Sequence, residues 1–324
     1  MMTQKVISKK ASATSQKTFE PGKVSVVMTT YNRGHMIEKS IESLLTQTYK
    51  NIEIIIVDNG STDNTPQILN GYRTPEYKDI VRVFRLEENR RFAGGANYGL
   101  DQINGEWFTI LDDDDIAYPE AFETMLKVLD EVDPEITAIN CNCIDSATGK
   151  LSGHGPTGDQ YLSMEDTMQL CKGEFWGLTK SELLEGSRFN ARLLAYDSTF
   201  WYQINQRAKR YYIHKPLRLY VTDHGPTDSQ YFKRKDRLMK TTMYRVLLEE
   251  PAYWESLAIY LPKELRSVAL RGFIYMFMDD DLKNTRKYLQ ILKDNSTTAY
   301  WGAKITTILP SKVYRRLYYL NSLK

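Results

Sequence analysis

Four carboxylates in a row, Asp112 to Asp115, follow directly on Trp107-Phe108-Thr109-Ile110-Leu111. Adjacent acids repel one another, and a divalent cation with oxygen ligands would relieve that cost. The same run also suits a solvated turn that caps a helix. Its surroundings separate the two readings. Trp107 to Leu111 is short, apolar and rich in aromatic and β-branched residues, like a strand inside a sheet. Beyond the acids, Tyr118, Phe122, Met125, Leu126 and Leu129 recur at helical spacing, with Pro119 at a first-turn position. The acids therefore stand between the carboxyl end of a buried strand and a helix. Open α/β sheets bind ligands at that edge.

Two further apolar runs end in polar clusters. Val24 to Thr30 runs into Tyr31-Asn32-Arg33-Gly34, and Ile52 to Val57 runs into Asp58-Asn59-Gly60-Ser61-Thr62-Asp63. Between and after them lie a helical face (Ile37, Ile41, Leu44, Leu45), a helix through Pro66, Ile68 and Leu69, and a strand over 81–84. Strands alternating with helices predict βαβ units and a mostly parallel sheet, with three polar strand ends along one edge. That is a nucleotide-sized site. Phe92-Ala93-Gly94-Gly95-Ala96-Asn97 opens a further short helix, and its glycines suit either a phosphate cradle or close packing of helix on strand. Neither a dinucleotide fingerprint nor a Gly-x-x-x-x-Gly-Lys-Ser/Thr loop occurs, which counts against an ATPase.

The second half is predicted as a strand over 136–144, a loop or hairpin over 145–160, a strand over 175–178 and a helix over 180–185. A helix over 197–207 follows, then two short strands at 211–213 and 217–221 and a loop at 223–229. From about Tyr231 the pattern is helical, with stripes such as Leu265, Val268, Gly272, Tyr275 and Thr285, Tyr288, Leu289, Leu292. The expected division is a flexible tail at 1–22, an α/β domain at 23–228 with halves 23–115 and 116–228, and a helical sub-domain at 229–324.

The 324 residues are 42% hydrophobic and 26% charged, as in a globular protein, and the net charge of +2 supplies no field for general nucleic-acid binding. Cys141 and Cys143 alternate along a strand and are expected to point into a core. With Cys171 they are too few for a zinc site. Residues 1–22 lack an apolar stretch, no run of eighteen apolar residues occurs, and reduced thiols in the cytoplasm are the default.

Val24 to Arg33, Val57 to Asp63 and Leu111 to Asp115, in that order, resemble the inverting family 2 glycosyltransferases. The likeness extends to enzymes of bacterial spore coats and surface polysaccharides and covers roughly residues 23–228. It implies the nucleotide-sugar-binding GT-A fold. By this resemblance Thr30 and Tyr31 hold the nucleobase, and Arg33, Asp58, Gly94 and Asn97 belong to the nucleotide site. Asn59 falls where relatives usually carry a second Asp for base or ribose, so the choice between uracil and thymine stays open. In the acidic motif, Asp112 and Asp113 serve the nucleotide and Asp114 holds Mn²⁺ or Mg²⁺, while Asp115 is expected to cap the next helix. Asp197 aligns with the base, although Tyr196 replaces the usual Glu before it. His224 aligns with a loop histidine that completes the metal or diphosphate site.

The resemblance therefore implies transfer of a sugar from a UDP- or dTDP-sugar to a hydroxyl of a glycan, lipid-linked or polymeric acceptor. A sugar-phosphate nucleotidyltransferase would need a Gly-rich loop with Arg and Lys after the first strand, and Thr30-Tyr31-Asn32-Arg33 is a poor version of one. A non-catalytic nucleotide- or glycan-binding module would need no base. Residues 301–324 carry five basic residues, no acidic ones, and interleaved Ile, Leu, Val, Tyr and Trp. They are expected either to dock on the inner face of a membrane or to close the helical core or a dimer contact.

Overall fold

The structure, a computed structural model, describes residues 17–193, 196–222, 236–308 and 310–322. A nine-stranded sheet organises it. Strands β1 (Glu20–Thr30), β2 (Ile52–Asp58), β3 (Val81–Arg85) and β4 (Gly105–Ile110) pair in parallel in the order β3-β2-β1-β4. Helices α1 (Ile37–Leu45), α2 (Thr65–Gly71) and α3 (Arg91–Gln102) connect them. The sheet continues through β8 (Phe175–Lys180), β6 (Ala138–Asp145), β9 (Arg210–Tyr220) and the two-residue β5 (Ile116–Ala117), with β7 (Gln160–Leu162) paired to β9. β8 is antiparallel to both β4 and β6, and β6 is parallel to β9. Two reversals cancel, so β6 and β9 run with β4. The carboxyl ends of β1, β2, β4, β6 and β9 thus share one edge.

Alternation along the strands divides the core. Val24, Val26, Met28, Ile52, Ile54 and Ile56 face α1 and α4 (Ala121–Lys127), while Val27, Ile55 and Val57 face α3 and α6 (Ser198–Asn205). β2 is buried along its whole length because helices cover both faces. Cys141 and Cys143 lie in the first of these cores, as expected from their alternation.

Several boundaries differ from the sequence reading. β1 begins at Glu20, inside the expected tail, where Glu20 N–H donates to Asn104 O at 2.8 Å and Gly22 N–H to Glu106 Oε2 at 2.8 Å. The two short strands near 211–221 are one strand, β9. Its register slips opposite Asn142, which lets Lys215-Pro216 pass without ending the ladder. The helix after the acids starts at Ala121, so Pro119 precedes it, and β5 occupies the interval. The helix expected over 180–185 is a single 3₁₀ turn, Ser181–Leu184.

The helical part comprises α7 (Arg237–Leu247), α8 (Pro251–Tyr260), α9 (Pro262–Met278), α10 (Leu282–Asn295), α11 (Thr297–Thr306) and α12 (Ser311–Ser322), with the short α5 (Met164–Gln169) beside α8. It has its own apolar cluster, which includes the stripe residues Leu265, Val268, Tyr288 and Leu292. Gly272 lets α9 and α10 approach: a Cβ there would stand 2.2 Å from the Tyr288 ring. The expected sub-domain boundary at 228–229 lies outside the described residues. No helix among the described residues is long and apolar enough to cross a membrane.

Candidate active site

The loop after β1 is tied to the loop after β2 before any ligand is considered. Asn32 adopts φ 55°, and its Oδ1 accepts from Thr62 N–H at 2.7 Å and Asp63 N–H at 3.3 Å. Asn32 N–H donates to Ser61 Oγ at 2.9 Å, and Gly34 N–H to Asp63 Oδ2 at 3.2 Å. Burial works against the Asp63 charge, but hydrogen bonds from Thr65 and Gly34 outweigh it and hold the carboxyl below its usual value. Asp58 is buried; its Oδ1 accepts from Ser61 N–H at 2.9 Å and its Oδ2 stands 3.6 Å from Arg85 Nε. Thr30 is buried beside the acidic run, whereas Tyr31 is exposed.

The acidic run itself is divided by environment. Carboxylate oxygens of Asp112, Asp114 and Asp115 lie within 4.8 Å of one another. Arg33 Nη1 donates to Asp114 Oδ2 at 3.2 Å, so the β1 loop reaches the acids across the edge. Asp113 is buried, and burial pushes its carboxyl up to about 7, against the pull of Thr30 and Arg33. Asp115 does not cap a helix, because α4 begins at Ala121 with Glu120 at its N-cap. Its Oδ1 accepts from Val221 N–H at 2.8 Å, and its Oδ2 faces Arg218 Nε at 3.4 Å. Burial raises the Asp115 carboxyl to about 7 although that guanidinium is beside it. Arg218, itself buried on β9, also reaches Glu174 Oε2 at 3.3 Å, just ahead of β8.

The donor set is all carboxylate oxygen, which suits a hard divalent cation such as Mg²⁺ or Mn²⁺. Asp115 Oδ2 and Arg218 Nε are buried and meet as an ion pair at 3.4 Å without a hydrogen bond between them. With Asp115 held by Arg218 and Val221, Asp112 and Asp114 are the acids placed to take a cation. His224 lies outside the described residues.

Two of the expected nucleotide contacts also make structural hydrogen bonds. Asn59 Oδ1 accepts from Arg90 N–H at 2.9 Å, and its Nδ2 donates to Arg91 O at 2.8 Å. Its amide is spent on fixing the turn before α3, where Arg91 has φ 58°. Asn97 Nδ2 donates to Phe189 O at 2.8 Å and its Oδ1 accepts from Phe189 N–H at 3.0 Å. It clamps the second half to the first through one donated and one accepted hydrogen bond. Gly94 lines a cleft of about 550 Å³ with Arg90, Arg91 and Asn97. Gly95 serves close packing, since a Cβ there would stand 3.1 Å from Thr29 Cγ2.

Asp197 is exposed at the amino end of α6 and makes no capping hydrogen bond to it. The helix that carries it is docked by Phe200, which stacks on Phe189 at 4.0 Å, the residue that Asn97 holds. Tyr196, before it, takes φ 80°, a conformation uncommon for an aromatic residue, with its ring edge-on to Tyr253 at 5.9 Å. Trp176 is buried and donates to Ile110 O at 3.0 Å, and Trp201 packs edge-on to Phe189 and Phe200. Sequence reading missed Asn32, Ser61, Asp63 and Arg218. An arginine between two leucines in a strand was the one available signal for the last.

The family described as Glycosyl transferase family 2 matches residues 25–180. Residues 25–180 are a family 2 glycosyltransferase domain. Among relatives, the GalNAc(5)-diNAcBac-PP-undecaprenol beta-1,3-glucosyltransferase of Campylobacter jejuni is 34% identical over 205 residues, 61% of this chain and 64% of that protein. Glycosyltransferase GlyG of Streptococcus pneumoniae is 32% identical over 165 residues, 50% of this chain and 54% of that one. The chain thus spans between about half and two thirds of these relatives. In three dimensions the S. aureus TarS fragment 1–349, solved with UDP-GlcNAc, superposes with a TM-score of 0.56 at 18% identity, over 84% of this chain and 92% of the fragment. At that identity the family 2 domain shares the fold: a mixed α/β sheet of GT-A type flanked by helices, followed by a helical region.

Proposed function

We propose that the chain is an inverting, metal-dependent glycosyltransferase that moves a sugar from a UDP- or dTDP-sugar to a hydroxyl of a glycan or lipid-linked acceptor. The observation that carries this reading is the Asp112–Asp114–Asp115 cluster at the end of β4, met by Arg33 from β1, within a family 2 domain. A divalent cation held by Asp112 and Asp114 would neutralise charge on the departing diphosphate. Thr30, Tyr31 and Asp58 line the nucleoside side, and Arg33 can turn from Asp114 to phosphate. Asp197 takes the proton of the acceptor hydroxyl, as a single in-line displacement requires. Neighbouring folds solved with UDP-GlcNAc or with GDP-Man and Mn²⁺ support a nucleotide-sugar donor and a metal. The polyprenyl-linked acceptor in the Campylobacter relative's name supports a lipid-linked acceptor, and with it a place at the cytoplasmic membrane face. His224 remains a proposed contributor to the diphosphate site, and residues 23–228 and 229–324 remain the proposed units.

A screen of nucleotide-sugars for hydrolysis by the purified protein, with Mn²⁺, Mg²⁺ or EDTA, tests the reading without an acceptor. Turnover is expected with one uridine or thymidine donor and a metal, and loss of it in Asp114→Ala with the fold intact by circular dichroism. Full turnover in EDTA would remove the metal from the proposal. No turnover of any donor would remove the activity.

A further inference from the structure

The outer face of α11 carries a feature that sugar transfer does not use. Ala303, Ala299 and Tyr300 turn toward the helical cluster, and Trp301, Ile305 and Ile308 turn away, 53%, 62% and 78% exposed. Single exposed apolar residues are ordinary. Trp301 and Ile305, at i and i+4, share one face of α11, and Ile308 follows in the turn just past its end, where its N–H donates to Ile305 O at 3.1 Å, so the three make one apolar patch. Lys304 borders the patch, its Nζ 4.9 Å from the Trp301 ring, and Lys312 and Arg316 are exposed on the following helix. No acidic residue occurs from 301 to the end of the sequence. Arg315 does not add to this charge, since it is spent on Asp280 Oδ2 at 2.8 Å and Met278 O at 3.0 Å. With Tyr314 edge-on to Phe277, it holds the start of α12 against α9.

We infer that the Trp301–Ile305 face of α11 and Ile308 in the turn after it, with Lys304, Lys312 and Arg316 around them, lie flat on an anionic membrane surface. The partner must accept apolar side chains and offer negative charge, and a bilayer interface with acidic lipids does both. A second copy of the chain suits the patch less well, because a symmetric contact would bring Lys304 toward its own counterpart. Ten residues of α11 reach only about 15 Å, too short to cross, so the helix rests in the interface plane. The Lys304 ammonium over the indole puts a positive charge directly beside the apolar patch, as a surface of apolar chains and anionic headgroups requires. The inference deepens the proposed reading by placing the enzyme on the surface that would hold a lipid-linked acceptor.

Sedimentation of the full-length protein with phosphatidylcholine vesicles, with and without phosphatidylglycerol at low salt, is the test, run with no donor or acceptor. The protein should pellet with the phosphatidylglycerol vesicles and stay in solution with phosphatidylcholine alone. The triple variant W301S/I305S/I308S, checked for folding by circular dichroism, should lose roughly a hundredfold in partition. Each of Lys304→Gln and Lys312→Gln should cost about fivefold. Wild type remaining in the supernatant, or the triple variant pelleting like wild type, overturns the inference. A vesicle-free dimer that the triple variant converts to monomer also overturns it, by assigning the face to a second copy. Donor hydrolysis by the triple variant should equal wild type. If neither protein hydrolyses any nucleotide-sugar, the transferase reading fails while the vesicle result still stands.

Discussion

Asp115 and Arg218 show how one run of like residues is divided by its surroundings. Asp115 is fully buried and answered by a guanidinium from another strand, while Asp112, three residues earlier, keeps access to solvent. Arg218→Met leaves Asp115 buried without compensation, and should cost about 3–5 kcal/mol of stability in urea unfolding. The double variant Asp115→Asn/Arg218→Met should recover much of that loss, and additive losses would mean that the two groups do not act as a pair. Asp197 invites the opposite result. Asp197→Asn should leave stability and donor affinity nearly unchanged, because the side chain is exposed and caps nothing, while transfer falls by roughly two to four powers of ten. Near-normal transfer would assign the base to another residue. Asn59 and Asn97 are a lesson at this scale. Both stand in motifs that read as ligand-binding, and each also bonds backbone on both sides of its amide, which no spacing rule reveals.

At the scale of elements, the legible strands were those with uninterrupted apolar runs. β1, β2 and β4 declared themselves because helices cover both faces and exclude polar residues. β5 and β7, with two and three residues, have too little pattern to see. β9 read as two strands because Lys215-Pro216 resembles a turn, and only the register slip against β6 lets a proline pass. Glu53 was hidden in the same way, as the polar exception within β2. Burial opposes its charge, but Ser25, both donors of Asn104 and Arg82 supply four hydrogen bonds and hold the carboxyl below its usual value. A depressed carboxylate contributes stability that is present above its unfolded value near 4.5 and is lost as pH falls through the folded one. Glu53→Gln should therefore lower stability at pH 7 and bring it closer to wild type below pH ~4, where the wild-type carboxylate has also lost its charge. A constant difference across the acid range, followed by circular dichroism, would show that Glu53 does not carry this dependence.

For the whole molecule, the reversed strand β8 decides where everything else arrives. Because it alone separates β4 from β6, the chain's second half brings β9 back with its carboxyl end at the acids, and Val221 N–H reaches Asp115. The residue before Asp197 and the helical region also meet at α6, where Tyr196 lies edge-on to Tyr253. The Arg33–Asp114 contact then bears on the order in which ligands are taken up. A guanidinium already seated on the carboxylate is a competitor for any cation, so the protein alone should hold Mn²⁺ weakly. On the proposed reading a diphosphate would draw Arg33 away and vacate the acid, so nucleotide and ion would each improve the other's binding by the same factor. In calorimetric titrations UDP should raise Mn²⁺ affinity at least about tenfold, a coupling of ordinary size. Arg33→Met should bind the bare ion more tightly than wild type and lose most of that mutual gain. Equal Mn²⁺ affinity in the two proteins would mean the arginine is a bystander. If the exchange holds, Arg33 keeps an empty enzyme from hoarding metal and reserves the ion for the moment a donor is present.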